Sequence, residues 1–246
     1  MLTLLVVGTD PILGSNGFSL PLTITNTSAM NYASEPITSG VPLSKQINIT
    51  TTDNLVITKA DGTSVPAQYR VLSRYGPLYD SSRPIKWVLV DFQVDVAPRE
   101  TSIYYLKKGE QGSVPGITVT ERREEIVVNT GALTFAIPRS HFQLFKNVTI
   151  SGHSIPMVTG DPEAGIVIEK GGKIFSSYYD DSPVVVVEEK GPLRTVIKAA
   201  GKFRSAEGEL LVGGDARMYL PPTHKPKPEG YPLTYTVRIY AYKEKS

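Results

Sequence analysis

His141, His153 and His224 are the only imidazoles in this chain of 246 residues. No two stand three or five residues apart, the spacing that puts two metal ligands on one element. Each therefore reads as an ordinary surface or loop residue, and neither a metal site nor a cofactor is expected. Asp180 and Asp181 follow Tyr178 and Tyr179. Acidic oxygens beside aromatic rings suit calcium or a sugar, although a turn with solvated carboxylates accounts for the same residues more simply. Asp80 with Ser81 and Ser82 reads as a local Asx turn. No Gly-x-Ser-x-Gly elbow, P-loop or dinucleotide fingerprint occurs. Nothing brings a nucleophile to a base, so the expectation is a protein that is not an enzyme.

Tyrosine carries a different signal. Thirteen Tyr stand against seven Phe, and a tyrosine offers an apolar body with a polar tip that can stack on a sugar ring or fill an interface. Tyr also favours strands. Tyr235, Tyr240 and Tyr242 gather near the C-terminus, and Tyr69, Tyr75 and Tyr79 around a loop. Tyr75 and Tyr79 are the candidate sugar contacts. Asn-x-Ser/Thr sequons at Asn26, Asn48 and Asn147 mark candidate glycosylation sites in a Cys-free, Thr-rich chain and point to an extracellular or cell-surface location.

The element that must position such residues is the stretch 84–96, built around the sole tryptophan. Val88, Val90, Phe92, Val94 and Val96 alternate with Asp91, Gln93 and Asp95, which predicts an antiparallel strand with one buried and one wet face. Trp87 and Leu89 are apolar on the second face as well, which predicts cover on both sides there. Twenty-one Gly and nineteen Pro fall between short β-branched and aromatic runs. That spacing predicts an all-β fold of many short strands.

Residues 2–7 form an almost wholly apolar strand, and 8–17 a Gly-rich connector. Such a strand either sits centrally in its own domain or completes a sheet in a neighbouring copy. Strands follow over 18–25, 55–57 and 65–72, the last two joined by the Asp61-Gly62 turn. Residues 107–116 carry three Gly and one Pro and read as the domain boundary. Later strands read from 133–137, 166–168, 184–187, 193–198 and 233–242, with a Pro-rich excursion at 221–232. The expected domains are the strand and linker 1–17, a small β-barrel over 18–112, and an antiparallel β-sandwich-like domain over 113–246.

Twenty-six basic and twenty-four acidic residues leave a net charge of +2. Without concentrated positive charge, nucleic acid is not an expected partner. No stretch approaches the roughly 20 apolar residues of a membrane helix, and residues 2–7 lack the flanks of a secretory signal.

Several phrases together resemble the N-terminal region of the exo-rhamnogalacturonan lyase family. They are Glu35-Pro36 leading into Gly40-Val41-Pro42-Leu43, Asp61-Gly62 with Val65-Pro66-Ala67-Gln68, Ile85-Lys86-Trp87-Val88, Asp91-Phe92, Asn129-Thr130-Gly131-Ala132-Leu133 and Gly191-Pro192-Leu193-Arg194. The resemblance implies a small barrel followed by a β-sandwich, without the helical toroid with which that family's catalysis is associated. Two departures share one loop: Tyr75 follows Arg where the family tends to have Trp, and 80–84 is enlarged.

A sandwich that stops short leaves an open edge. An apolar strand on a flexible connector at the other end is complementary to it. The leading expectation is therefore a non-enzymatic structural subunit, complete as it stands, that assembles head-to-tail with copies of itself through Leu2, Leu4, Leu5, Val6 and Val7. The alternative is a carbohydrate-binding or accessory β module of a rhamnogalacturonan or pectin lyase-like protein.

Overall fold

The computed structural model describes residues 2–5, 12–14, 17–158, 160–213 and 231–245. The chain is all-β. Its helical content among these residues is three single 3-10 turns, Lys45–Ile47, Pro162–Ala164 and Ser177–Tyr179. It divides into two compact units, Met1–Pro115 and Gly116–Ser246.

The first unit contains β1 (Leu2–Leu5), β2 (Ile12–Gly14), β3 (Gly17–Asn26), β4 (Tyr32–Pro42), β5 (Leu55–Thr58), β6 (Ser64–Val65), β7 (Ala67–Arg74), β8 (Ile85–Val96) and β9 (Thr101–Lys108). One antiparallel sheet has the order β1-β3-β9-β5-β6, with β2 also on β3; the other runs β4-β8-β7. The chain crosses from the first sheet to the second at Pro66, between β6 and β7. Proline has no N–H for a ladder, so the hydrogen-bonding partner changes there.

The two sheets enclose one core that includes Leu22, Ile24, Leu55, Ile57, Val88, Phe92 and Leu106. The inward set on β8 is the one that alternation predicts, since Val88, Val90, Phe92, Val94 and Val96 are all buried. Gln111 extends this unit beyond its last strand. Its side-chain amide donates to the Ala67 carbonyl at 2.6 Å and accepts from the Ala67 N–H at 3.1 Å, as a neighbouring strand would.

The N-terminal strand pairs within its own chain. Leu2 to Leu5 lie opposite Asn26 to Thr23 of β3 in antiparallel register. Val6 and Val7, the rest of the expected assembly strand, lie outside the described residues.

The second unit contains β10 (Thr118–Glu121), β11 (Glu125–Asn129), β12 (Leu133–Pro138), β13 (Asn147–Ile150), β14 (His153–Ile155), β15 (Val167–Lys170), β16 (Lys173–Ser176), β17 (Val184–Glu189), β18 (Arg194–Lys202), β19 (Val212–Gly213), β20 (Tyr231–Pro232) and β21 (Thr234–Tyr242). β10 to β14 form a five-stranded meander in sequence order, β17-β18-β21 a three-stranded sheet, and β15-β16 and β19-β20 two-stranded ones. A sandwich-like core joins Ile126, Val128, Phe135 and Ile137 of the meander to Val185, Ile197, Ala199 and Tyr235 of the three-stranded sheet. Along β17, Val185 points inward while Val184 and Val186 are exposed.

Candidate functional site

The outward face of β4-β8-β7 offers a ring to a ligand. β8 lies between β4 and β7, so its outward residues have neighbours on both sides, and directly opposed residues share a face. Pro42 and Ser73 lie opposite Trp87, Gly40 and Arg70 opposite Leu89, and Thr38 and Gln68 opposite Asp91. A β-bulge at 71–73 places Leu72 on this face too: its Cδ1 and the Trp87 ring carbon Cε3 lie 3.6 and 3.5 Å from the point a Gly40 Cβ would occupy.

Trp87 is 40% exposed and Leu89 half-buried. This corrects the expectation of cover on both sides. The strand across from Trp87 supplies Gly40 and Pro42, which are too small to cover an indole. Beside this apolar patch lies a polar strip. Asp91 is buried there and accepts a hydrogen bond from the Thr38 hydroxyl; Gln68 and Gln93 are half-buried, and Arg70 is exposed. An aromatic ring next to amide, carboxylate and guanidinium groups combines a stacking surface with directional polar contacts.

The loop 75–84 leads into this strand. The Tyr75 hydroxyl donates to the Leu43 carbonyl at 3.0 Å, and its ring is half-buried with the Lys86 ammonium 5.9 Å from its centre. Tyr79 is 90% exposed. Of the two tyrosines expected to touch sugar, Tyr79 therefore has a free ring, whereas Tyr75 is tied into the loop's base. Asp80 is used locally: its Oδ1 accepts from the Ser82 N–H and hydroxyl, and its Oδ2 from Arg83. The Ser82 hydroxyl, then the Arg83 guanidinium, hold this carboxyl below its ordinary range.

In the second unit, the 3-10 turn Ser177–Tyr179 and the residue that caps it, Asp180, place three consecutive side chains at three cavities. Tyr178 lines a cavity of about 650 Å³ with His141, Tyr179 one of about 470 Å³ with Asp161, Glu163 and Glu207, and Asp180 one of about 350 Å³ with Gly201 and Tyr235. Asp180 is a buried structural acceptor, taking the Lys202 N–H on Oδ2 at 2.7 Å and the Ser182 N–H on Oδ1 at 3.3 Å. Asp181 is exposed. Among the described residues, no group of three or more His, Asp or Glu side chains could hold a metal ion. His153 is exposed on β14, its Nδ1 3.2 Å from the Ser151 carbonyl. His224 and most of the Pro-rich excursion lie outside the described residues.

The sequons divide. Asn26 is 1% exposed; its amide donates to the Met30 and Ala97 carbonyls at 2.7 and 2.9 Å and accepts from Ser28. Its nitrogen is thus engaged and buried in the folded unit. Asn48 and Asn147 are exposed. Expressed in a glycosylating host, the folded protein is expected to carry glycan at Asn48 or Asn147 and none at Asn26. Peptide mass mapping would detect this, and full occupancy of Asn26 would contradict the burial argument.

No family model matches this chain, and no curated protein matches it. Among solved structures it is similar to a protein in the glycosyl hydrolase family 38 from Enterococcus faecalis, with a TM-score of 0.50 and 14% identity over 92% of this chain and 30% of that one. It is also similar to an alpha-mannosidase from Enterococcus faecalis V583, with a TM-score of 0.42 and 15% identity over 92% of this chain and 29% of that one. The likeness to the first is one of fold, and this chain spans less than a third of that protein's length.

The first of these corrects the expected resemblance to exo-rhamnogalacturonan lyases: the solved structure whose fold this chain shares is a protein in the glycosyl hydrolase family 38. Two of the phrases behind that resemblance have local structural causes. Gly62 and Gly131 sit at φ of 88° and 100° in turns that favour glycine. Asp61 accepts the Thr63 N–H at 2.8 Å, and Asn129 the Gly131 N–H at 2.8 Å.

Proposed function

We propose that this chain is a non-catalytic carbohydrate-binding β module, and that the outward face of β4-β8-β7 is its binding surface. The observation that carries the reading is Trp87, a half-exposed indole on the outward face of the sheet, bordered by the small Gly40 and Pro42 and by the strip of Thr38, Gln68, Arg70, Asp91 and Gln93. A sugar ring stacked on the indole would hide apolar C–H surface, while its hydroxyls would find donors and acceptors at the same level. Tyr79 stands exposed on the loop that leads into β8 and supplies a second ring. An extracellular or cell-surface location goes with this reading, since polysaccharide is met there.

Head-to-tail assembly lacks a comparable argument, because the strand it would donate is paired with β3 of its own chain. It is not the reading proposed.

Trp87 is the sole tryptophan, so intrinsic fluorescence reports on the face without labelling. Titration with a panel of neutral and acidic oligosaccharides is expected to produce a saturable change with at least one of them. Trp87→Ala is expected to weaken retention on that glycan about thirtyfold, or ~2 kcal/mol, as loss of a central aromatic anchor does. The variant should still unfold cooperatively, with a midpoint lowered only by the loss of the indole's covered part. Silence across the panel, or full retention by Trp87→Ala, would remove this reading.

A further inference from the structure

The loop 139–146, between β12 and β13, borders the cavity of about 650 Å³ that also takes Tyr178. Its chemistry is rich in donors. Arg123, Arg139 and Lys146 line it, against one carboxylate, Glu124.

Arg139 is held in place from three sides: Nε donates to the Arg122 carbonyl at 3.1 Å, Nη1 to the Val185 carbonyl at 2.6 Å and Nη2 to Glu121 at 2.7 Å. Lys146 lies 3.5 Å from Glu125. Arg123 is exposed and has no hydrogen bond or ion pair among the described residues.

The decisive group is Gln143. It is 6% exposed and lines the cavity. Its Oε1 accepts the Gly160 N–H at 3.2 Å, which fixes the amide so that its N–H₂ is the group left over. Among the described residues that N–H₂ has no partner. That nitrogen is not among the sealed, partnerless polar atoms of the described residues, so it stays open to the cavity and can donate to a ligand acceptor there. His141 completes one wall. It takes a positive φ of 49°, its Nδ1 donates to the Tyr178 carbonyl at 3.0 Å, and its ring lies 5.1 Å from that of Tyr178.

We infer that this cavity binds an oxyanion, the carboxylate of a sugar acid or a free phosphate, at a site separate from the Trp87 face. Arg123 supplies the charge not already engaged by a carboxylate, the fixed Gln143 amide a directed donor, and Arg139 and Lys146, each already paired with a glutamate, further N–H groups at the edge. An oxyanion accepts several hydrogen bonds at once and matches a wall that mainly donates.

Isothermal titration of the intact chain with sodium glucuronate, inorganic phosphate and glucose tests the inference. Saturable binding of glucuronate, phosphate or both, with no binding of glucose, is the expected result; which anion binds identifies the source. Arg123→Ala, at an exposed position, is expected to weaken it at least fivefold, and Gln143→Leu to do the same in protein whose melting curve shows it folded. Trp87→Ala should bind the anion as the wild type does, so failure of the glycan-face reading would not be mistaken for failure of this one. No binding of either anion, equal binding of glucose, or an Arg123→Ala protein that binds unchanged would overturn the inference.

Discussion

Phe92→Ala is expected to lower the stability of the first unit by about 3–5 kcal/mol, the range for deleting a large aromatic side chain from a packed core. Phe92 is 1% exposed, lies between Ile37 of β4 and Ala67 of β7, and meets Tyr104 edge-on with ring centres 5.3 Å apart. Both sheets of the unit therefore lose contacts at once, and strands paired on either side of β8 leave little room for collapse into the void. Urea unfolding followed by Trp87 fluorescence would measure this, since the sole tryptophan lies in the same unit. Phe92→Leu keeps most of the volume and should cost less than half as much. A loss below about 1 kcal/mol for Phe92→Ala would mean that the two sheets do not close on this ring. Five residues earlier on the same strand, Trp87→Ala removes an indole that is already 40% exposed, so it is expected to cost less stability than Phe92→Ala and to act chiefly on binding.

Gly201→Ala is the second change expected to act strongly. Gly201 lies on β18 opposite Tyr235 of β21. A Cβ there would fall 2.3 Å from Asp180 Oδ2 and 2.5 Å from the Tyr235 hydroxyl. Neither neighbour can move cheaply. Asp180 Oδ2 holds the Lys202 N–H at 2.7 Å, and the Tyr235 ring is stacked on Phe142 and set edge-on to Phe203, with ring centres 5.5 Å apart in both pairs. Overpacking costs about 1–3 kcal/mol, and displacing Asp180 would leave a buried N–H unmade at about 1–3 kcal/mol more.

Tyr235→Phe is the informative companion. The Tyr235 hydroxyl is buried and has no hydrogen-bond partner among the described residues; burial, then the Asp180 charge, push its pKa up. Removing that oxygen loses no hydrogen bond and keeps both ring contacts, so stability should fall by less than about 0.5 kcal/mol or rise. Circular-dichroism melts of the two variants would give the contrast. A tolerant Gly201→Ala, or a Tyr235→Phe that costs more than about 1.5 kcal/mol, would contradict this packing.

Within the candidate site, the sequence shows which residues belong to β8 and which of them face outward. It does not show that Trp87 is open. Its exposure depends on the residues opposite it, and Pro42 stands 45 positions earlier in the chain. Read along the strand alone, an apolar Trp87 followed by an apolar Leu89 suggests burial. The Gln143 amide was missed for a related reason, since a glutamine in a loop gives no local sign that Gly160 will occupy its oxygen and leave its nitrogen facing a cavity. His141 passed as an ordinary loop residue, because Tyr178, the ring beside it, is 37 positions away.

Local alternation and turn chemistry by themselves determined that this is an all-β protein, which side of β8 is buried, and where the Asp61-Gly62 turn falls, because side-chain period and backbone φ are properties of neighbouring residues. Tertiary structure alone decided that Asn26 is sealed by carbonyls up to 71 residues away, that Gly201 must lack a side chain, and that the indole of Trp87 is left uncovered. Those outcomes rest on register between distant strands, and register is set only when whole sheets close on a shared core.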